Sequence, residues 1–562
     1  MNHVTKHAVE CFEQVSFISV CRRWFCMLIL WCGLAHGAHA QINLERLFPP
    51  VVVAGRETEV TAEGKFPNWP PSVDCDSERV SILLGKESGK LTVKVAEDAS
   101  PGVAWVRFFD DQSASALVPL VLSSVDVFPE TEPNDKRSEA ISITIPAVVV
   151  GRLAKNGDSD AYGVSIKAGQ TLVVSATANQ LLKSPMDAVL QLADRRGNVL
   201  AQSDDARGLD PQIIFTADAD QDVLIRIFAF PETPNSTIGF AGSAAFIYSL
   251  AVTTGPFVDH IASDGKTIVP FGYNLDPQNH WAAVLSEPEK GKALSPPVAT
   301  FRDAMGWSWL SPVENVVNQV LPGKPFDGRL PAVLFGHFTK PDESHSYAFS
   351  ASKGIKYRAE VNSKSGGFLV DSKLAVIDQK SGKSLASNDD VSRGIYDAGV
   401  DFTMTNDGLV EVVVTETLGG FGPRHFYQLS IYPSEPQCSL SVSEEHFVVK
   451  KDKPLELTVT VTRTSGFDEK VQVAATGLPK GITCEPVLSE PKGDTSKSVK
   501  LKLIAGESTP GHGSFRIVGA EIDADGNPSA DTTAARFELR PAVSITEFWL
   551  TIPPISTEEP KP

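Results

Sequence analysis

From residue 41 onward the apolar residues fall into runs of about five to eight, rich in Val, Ile, Leu, Thr and Phe, with Gly, Pro, Asn and Asp interrupting about every ten residues. Leu91 to Val95, Thr171 to Ala176, Val223 to Phe228, Val410 to Thr415 and Leu455 to Val461 are examples. Short strands at this spacing predict an all-β chain of tandem β-sandwiches. Helical periodicity is confined to one short stretch, Val313 to Val320, which predicts a single helix.

One stretch of the chain repeats another. Leu190-Gln-Leu-Ala-Asp194, Gly197, Leu200-Ala201 and Asp204-Asp205 return as Leu374-Ala-Val-Ile-Asp378, Gly382, Leu385-Ala386 and Asp389-Asp390. Both read as strand, tight turn, strand and acidic loop. Asp210 to Phe215 matches Asp397 to Phe402, Tyr248 to Val252 matches Tyr427 to Ile431, and Asp160-Ala-Tyr162 matches His345-Ser-Tyr347. Two homologous sandwiches are therefore expected, over 126–256 and 330–435.

The ordered motifs of the first copy resemble the bacterial pre-peptidase C-terminal domain: Glu130-Thr-Glu132-Pro-Asn134-Asp135, Gly157-Asp158-Ser-Asp160-Ala-Tyr162, the D-x-x-G-x-x-L-A-x-x-D-D hairpin and the closing Y-x-L-x-V. That resemblance implies a jelly-roll-like sandwich. The second copy keeps the hairpin and last strands but lacks the E-x-E-P-N-D opening, so it reads as degenerate. Leu47 to Pro50, Gly55 to Val60 and Gly64 to Pro70 resemble the Ig-like module that precedes this domain in large secreted bacterial proteins, which assigns 41–125. Gly265 to Leu275 looks like a shortened cousin, within an insert at 257–329. Residues 436–541, with Gly477-Leu-Pro479-Lys-Gly-Ile-Thr483, resemble an Ig-like surface module, and 542–562 is expected as a flexible tail.

The opening of the first copy is the strongest candidate site. Glu130, Glu132, Asn134 and Asp135 lie close together, and Pro133 stiffens the loop that presents them. If Asp158 and Asp160 fold back towards that loop, the carboxylates repel one another, and a hard divalent cation relieves the repulsion. In collagen-binding relatives this segment is a calcium site, so the resemblance implies calcium on Glu130, Glu132, Asn134, Asp135, Asp158 and Asp160. The same run also reads as a solvated linker, with Asn134-Asp135 capping a bend. The pairs Asp204-Asp205 and Asp389-Asp390 read as strand-ending turn residues.

Composition narrows the class. The first forty residues carry Arg22-Arg23, an apolar run from Trp24 to Ala35, and Ala38-His39-Ala40, the pattern of a cleaved signal peptide. That run of about 12 residues is shorter than the roughly 20 a membrane span needs, so no span is expected. The 562-residue chain has a formal net charge of −18. The first forty residues hold Lys6, Arg22 and Arg23 against Glu10 and Glu13, so the remainder is one charge more negative. An acidic chain without a basic cluster argues against nucleic acid and anionic membranes as partners. Cys75, Cys438 and Cys484 remain after cleavage, and the last two form either a bridge or two separate thiols.

Catalytic patterns are missing from the sequence. His260, His280, His337, His345, His425, His446 and His512 are scattered without H-E-x-x-H or paired zinc spacing, and no G-x-S-x-G elbow, P-loop or dinucleotide fingerprint occurs. Gly306-Trp307-Ser308-Trp309 lacks the strand-to-helix context of a nucleophile elbow and reads as packing. Trp69, Trp281, Trp307 and Trp309 read either as core or as stacking surfaces for sugars. The expectation is an exported, non-catalytic binding or scaffold protein engaging extracellular polysaccharide or protein. The alternatives are an accessory to a separate secreted peptidase, and a hydrolase assembled between modules.

Overall fold

The computed structural model describes residues 41–234, 239–285, 296–310, 316–451, 453–506, 510–523, 525–541 and 543–554. The expected signal peptide lies outside them. The described chain is nearly all strand, in face-to-face antiparallel sheets, as the alternation predicts. In Leu455–Thr464, for example, Leu457, Val459 and Val461 are buried while Thr458, Thr460 and Thr462 face outward. Each such buried Val or Leu stabilises the sandwich by about 1.5–3 kcal/mol.

The first module pairs two four-stranded sheets around Leu44, Val60, Val93, Val106 and Leu120. Trp69 belongs to it, its ring tilted against Phe66 at 5.5 Å and its Nε1 donating to Gly85 O at 2.8 Å. It packs against the core, as one of its two sequence readings holds.

The two copies of the repeat share a topology. One five-stranded sheet of the first copy runs Gln212–Thr216, Thr171–Thr177, Ile247–Thr253, Ala147–Arg152 and Val127–Pro129. Its counterpart runs Gly399–Thr403, Lys356–Asn362, Phe426–Pro433, Ala332–His337 and Asn318–Val320 in the same order. The facing sheets also correspond, except that the first copy carries an extra edge strand, Ile141–Ser142, parallel to Asp160–Ile166. The matched aspartates have one job in both copies. Asp210 accepts from Asn179 N at 2.7 Å and Gln180 N at 3.3 Å, and Asp397 accepts from Ser363, Lys364 and Ser365 N at 2.8–3.1 Å. Each buried carboxylate thus satisfies the donors of one tight turn.

Four expectations are corrected. Where a helix was expected over Val313 to Val320, Val313 lies outside the described residues, and Asn318–Val320 is a strand paired in parallel with Ala332, Val333 and Leu334. This strand also carries the second copy back beyond the expected boundary at 330. The expected tail after Pro541 contributes Val543–Ile545 and Phe548–Ile552. Phe548, Leu550 and Ile552 are core residues of the last module. A Cys438–Cys484 bridge is excluded, because both thiols are free. Cys438 is on Gln437–Ser441 and Cys484 on Ile482–Cys484, with Leu455–Thr464 and Ser498–Ala505 between them in the sheet. Three strand spacings of about 4.8 Å far exceed the ~7 Å Cα limit of a disulfide.

The modules are docked, not merely strung together. Arg107 of the first module pairs with Glu445 of the last at 3.2 Å, with both side chains almost fully buried. Leu117 N donates to Glu445 Oε1 at 3.0 Å, and Phe109 packs on His512 and Trp549. One apolar cluster joins Trp105 and Leu117 to Leu181, Leu182 and Ile247 of the first repeat copy and to Leu539, Val543 and Ile545 near the C-terminus. In the insert, Asp259 binds Arg424 of the second copy at 2.6 and 2.8 Å.

Candidate functional site

The acidic loop follows Val127–Pro129, which runs parallel to Ala147–Arg152. Backbone bonds hold it at both ends: Glu130 N donates to Val150 O at 2.9 Å, and Ala161 N to Asn134 O at 3.1 Å. The second of these lays Asn134 against the start of Asp160–Ile166. The loop thus meets Asp158 and Asp160 through the sheet that carries them.

The six residues singled out from the sequence converge, but unequally. Carboxylate oxygens of Glu132, Asp158 and Asp160 lie within 4.8 Å of one another. Asn134, Asp158 and Asp160 are fully buried, while Glu132 closes the cluster from the solvent side. The side-chain amide of Asn134 sits 3.0 Å from Asp160 Oδ1 and 3.3 Å from Glu132 Oε2. Either its NH2 donates to both carboxylates, or its oxygen joins theirs around a cation. Asp158 Oδ2 accepts from Ala154 N at 2.5 Å and Lys155 N at 3.3 Å, whereas its buried Oδ1 has no hydrogen-bond partner.

Glu130 and Asp135 flank this group. Glu130 Oε2 accepts from Arg152 N at 2.7 Å and lies 3.5 Å from the Tyr248 hydroxyl. Asp135 accepts from Ser159 N at 3.2 Å. Lys155 Nζ reaches to 3.6 Å from both Asp135 and Asp158 but remains largely exposed.

Electrostatically the cluster is strained. Burial, then the neighbouring Glu130 charge, pushes the Asp160 carboxyl up to about 9. Burial also raises Glu130, with Glu132 and Asp158 adding to it, and burial raises Asp158. Under the cluster Tyr248, buried on Ile247–Thr253, donates to Asp160 and meets the Tyr162 hydroxyl at 2.6 Å. Tyr248, Tyr162 and Lys155 are parts of the site that sequence reasoning did not assign. The repeated Y-x-L-x-V motif was the signal that could have found Tyr248.

The second copy shows what the same scaffold does without the acids. Tyr427 and Tyr347 meet at 2.9 Å as their counterparts do, but His345 stands where Asp160 does and bonds Tyr427 through Nδ1 at 2.7 Å. Glu343 replaces Asp158 and accepts from Thr339 N at 2.7 Å and Lys340 N at 3.3 Å. Leu321-Pro322-Gly323-Lys324 takes the place of the acidic opening. Turn-capping is therefore the role common to both copies, and the buried oxygen cluster belongs to the first. Asp204-Asp205 and Asp389-Asp390 are exposed turn residues, each second amide donating to the first side chain at 2.9 and 3.1 Å.

No family model matches the chain. A curated "Probable subtilase-type serine protease" of Deinococcus radiodurans is 33% identical over 207 residues, covering 33% of this chain and 28% of that protein. The chain therefore spans little more than a quarter of that relative's length. Solved structures that align include an M60 catalytic domain with two CBM51 domains from Clostridium perfringens, 10% identical, covering 70% of this chain and 46% of that one at a TM-score of 0.15. Another is a Bacteroides ovatus protein of a mixed-linkage glucan utilization locus in complex with a heptasaccharide, 8% identical, covering 69% and 74% at 0.14. Fibronectin(III)-like modules of Clostridium thermocellum align at 12% identity and 0.14, over 37% of this chain and 92% of theirs. Scores this low carry no argument about this chain.

Proposed function

We propose that the chain is an exported, non-catalytic binding or scaffold protein, whose first repeat copy is a pre-peptidase C-terminal-type sandwich organised by calcium. The observation that carries the calcium reading is the buried oxygen cluster: three carboxylates and an amide converge, and Asp158 Oδ1 accepts no hydrogen bond, meeting only the exposed Lys155 ammonium at 3.6 Å. Two Ca–O bonds of about 2.4 Å span the 4.8 Å within which the carboxylate oxygens gather. Glu132, Asn134, Asp158 and Asp160 would hold the ion, with Glu130 and Asp135 beside them. Its charge would offset the burial and the neighbouring negative charge that raise Asp160 and Glu130, and so fix the loop on the sheet.

The test is thermal melting of the whole chain in calcium and in chelator, beside titration calorimetry. One ion per chain is expected, with stabilisation of about 2.7 kcal/mol at hundredfold excess over Kd. Replacing Glu132 and Asp160 together with Ala should abolish that gain. Identical melting of the native chain in both conditions would leave the cluster a capped linker. Export is checked separately: N-terminal sequencing of secreted material should begin at or near Gln41, and retention of Trp24 to Ala35 would refute it.

The segment shared with the subtilase-type relative supports a second reading, an accessory to a separate secreted peptidase. Co-purification of such an enzyme with the tagged chain from culture medium, lost on deleting the shared segment, would favour it over free-standing ligand binding.

A further inference from the structure

A second site lies where the modules meet. A cavity of about 610 Å³ is lined by the first module, both repeat copies, the insert and the C-terminal strands. That volume falls in the ordinary range for small-ligand sites, which favour domain interfaces.

Its charge balance is opposite to that of the chain. Of its two carboxylates, Asp259 is consumed by Arg424, Gln212 Nε2 at 3.0 Å and His260, and Asp210 by the turn amides. Two guanidiniums stand in no ion pair among the described residues, although Asp210 and Asp259 act on Arg207, and Glu445 on Arg540, through space. Arg540 is buried, donates to Leu181 O at 2.6 Å and Leu539 O at 2.7 Å, and lies 5.2 Å over the Trp105 ring. Arg207 makes no ion pair among the described residues. A buried cation that meets only carbonyls and a ring is costly, and burial lowers the Arg540 guanidinium to about 10. A chain of net charge −18 thus keeps a cavity lined by three guanidiniums against two carboxylates. The cavity wall also carries Trp307 and Trp309, half-buried and edge to face at 5.2 Å. Both pack against the inter-module apolar cluster, and an indole ring held on a cavity wall offers an apolar surface on which the CH face of a pyranose stacks.

We infer that this cavity binds a short acidic oligosaccharide, with Arg207 and Arg540 meeting its carboxylate and Trp307 and Trp309 stacking on its rings. The inference rests on the binding role proposed above and names its ligand class. Free acidic peptides share the carboxylate but lack the pyranose face, and the indole pair favours the sugar.

The test uses the whole chain and tri-galacturonate as probe, followed by calorimetry at low salt. An uncharged trisaccharide and tri-glutamate are run in parallel, each in calcium and in chelator. Tri-galacturonate should bind at least tenfold tighter than the other two. Arg207→Gln should weaken it about tenfold or more, the effect of losing one charge-assisted hydrogen bond. Trp307→Ala should weaken it, and Trp307→Phe, which keeps an aromatic ring packed against the inter-module cluster, should retain most of the binding; because Arg540 is buried, Arg540→Gln is judged only if its melt stays cooperative. Equal binding of tri-glutamate would overturn the saccharide in favour of peptide, and absence of all binding by the folded chain would overturn the site. A calcium-dependent melt with no tri-galacturonate binding would sink this inference alone. Loss of the calcium effect with binding retained would sink only the calcium reading.

Discussion

At the residue scale the repeated tyrosines need room that only glycine leaves. A Cβ on Gly151 would collide with the Tyr248 hydroxyl and Glu130, and one on Gly336 with the Tyr427 ring. Both glycines lie on the strand that pairs with the tyrosine's own strand, directly opposite it. Gly151→Ala should therefore displace Tyr248 from Asp160 and destabilise the chain by about 1–3 kcal/mol, the usual cost of overpacking a core. Thermal melting measures it, and an unchanged melt would show that the tyrosine yields freely. Gly151→Ala should also weaken calcium binding, whereas Gly336→Ala should leave it intact. The second copy has His345 where the first has Asp160, so the same packing error there touches no oxygen cluster.

At the element scale, the strands and the repeat were legible because a two-residue alternation survives within single strands such as Leu455–Thr464. The repeat was legible because a buried turn-capping aspartate and a buried tyrosine recur at matched positions. What escaped the reading had misleading local text. Val313, Val316, Val317 and Val320 fall at helical spacing, yet parallel pairing with Ala332–His337 draws Asn318–Val320 into a sheet. Phe548–Ile552 follows Pro541 and precedes a Pro- and Glu-rich end, so composition suggested a tail where pairing with Gly511–Ile522 makes a core strand. Cysteine spacing carries no information about strand order, and that order keeps Cys438 and Cys484 apart. The acidic site was legible as a set of residues. Which oxygens turn inward was not, because Glu130 and Asp135 are claimed by backbone amides distant in sequence.

At the scale of the whole molecule, a buried contact ties the first module to the last. Glu445→Ala would leave Arg107 buried without its carboxylate and Leu117 N without its acceptor, and should cost about 3–5 kcal/mol. Calorimetry should show one melting transition for the native chain and a split or broadened one for the variant as the terminal modules separate; the same transition in both would mean that the docking contributes little. The adjacent His446 gives this contact a pH dependence. It pairs with Trp549 on the neighbouring strand, its Nδ1 is buried without a partner, and burial together with the Arg107 charge lowers its pKa to about 4. The unfolded chain takes up that proton near pH 6.5 and the folded chain only near 4, so the unfolded state binds more protons in between. Stability should thus be full above pH 6.5, fall as the pH drops towards about 4, and change no further through this group below that, by at most about 3 kcal/mol. His260, His345 and His425 are lowered too, and Asp210, raised to about 6, acts in the opposite sense, so the native curve alone does not isolate His446. The difference between the native chain and His446→Phe does. That variant keeps an aromatic ring and removes the proton site, and its melting temperature should fall less steeply between pH 6.5 and 4. Parallel curves for the two proteins would show that the imidazole is solvated when it charges and that the docking is insensitive to it.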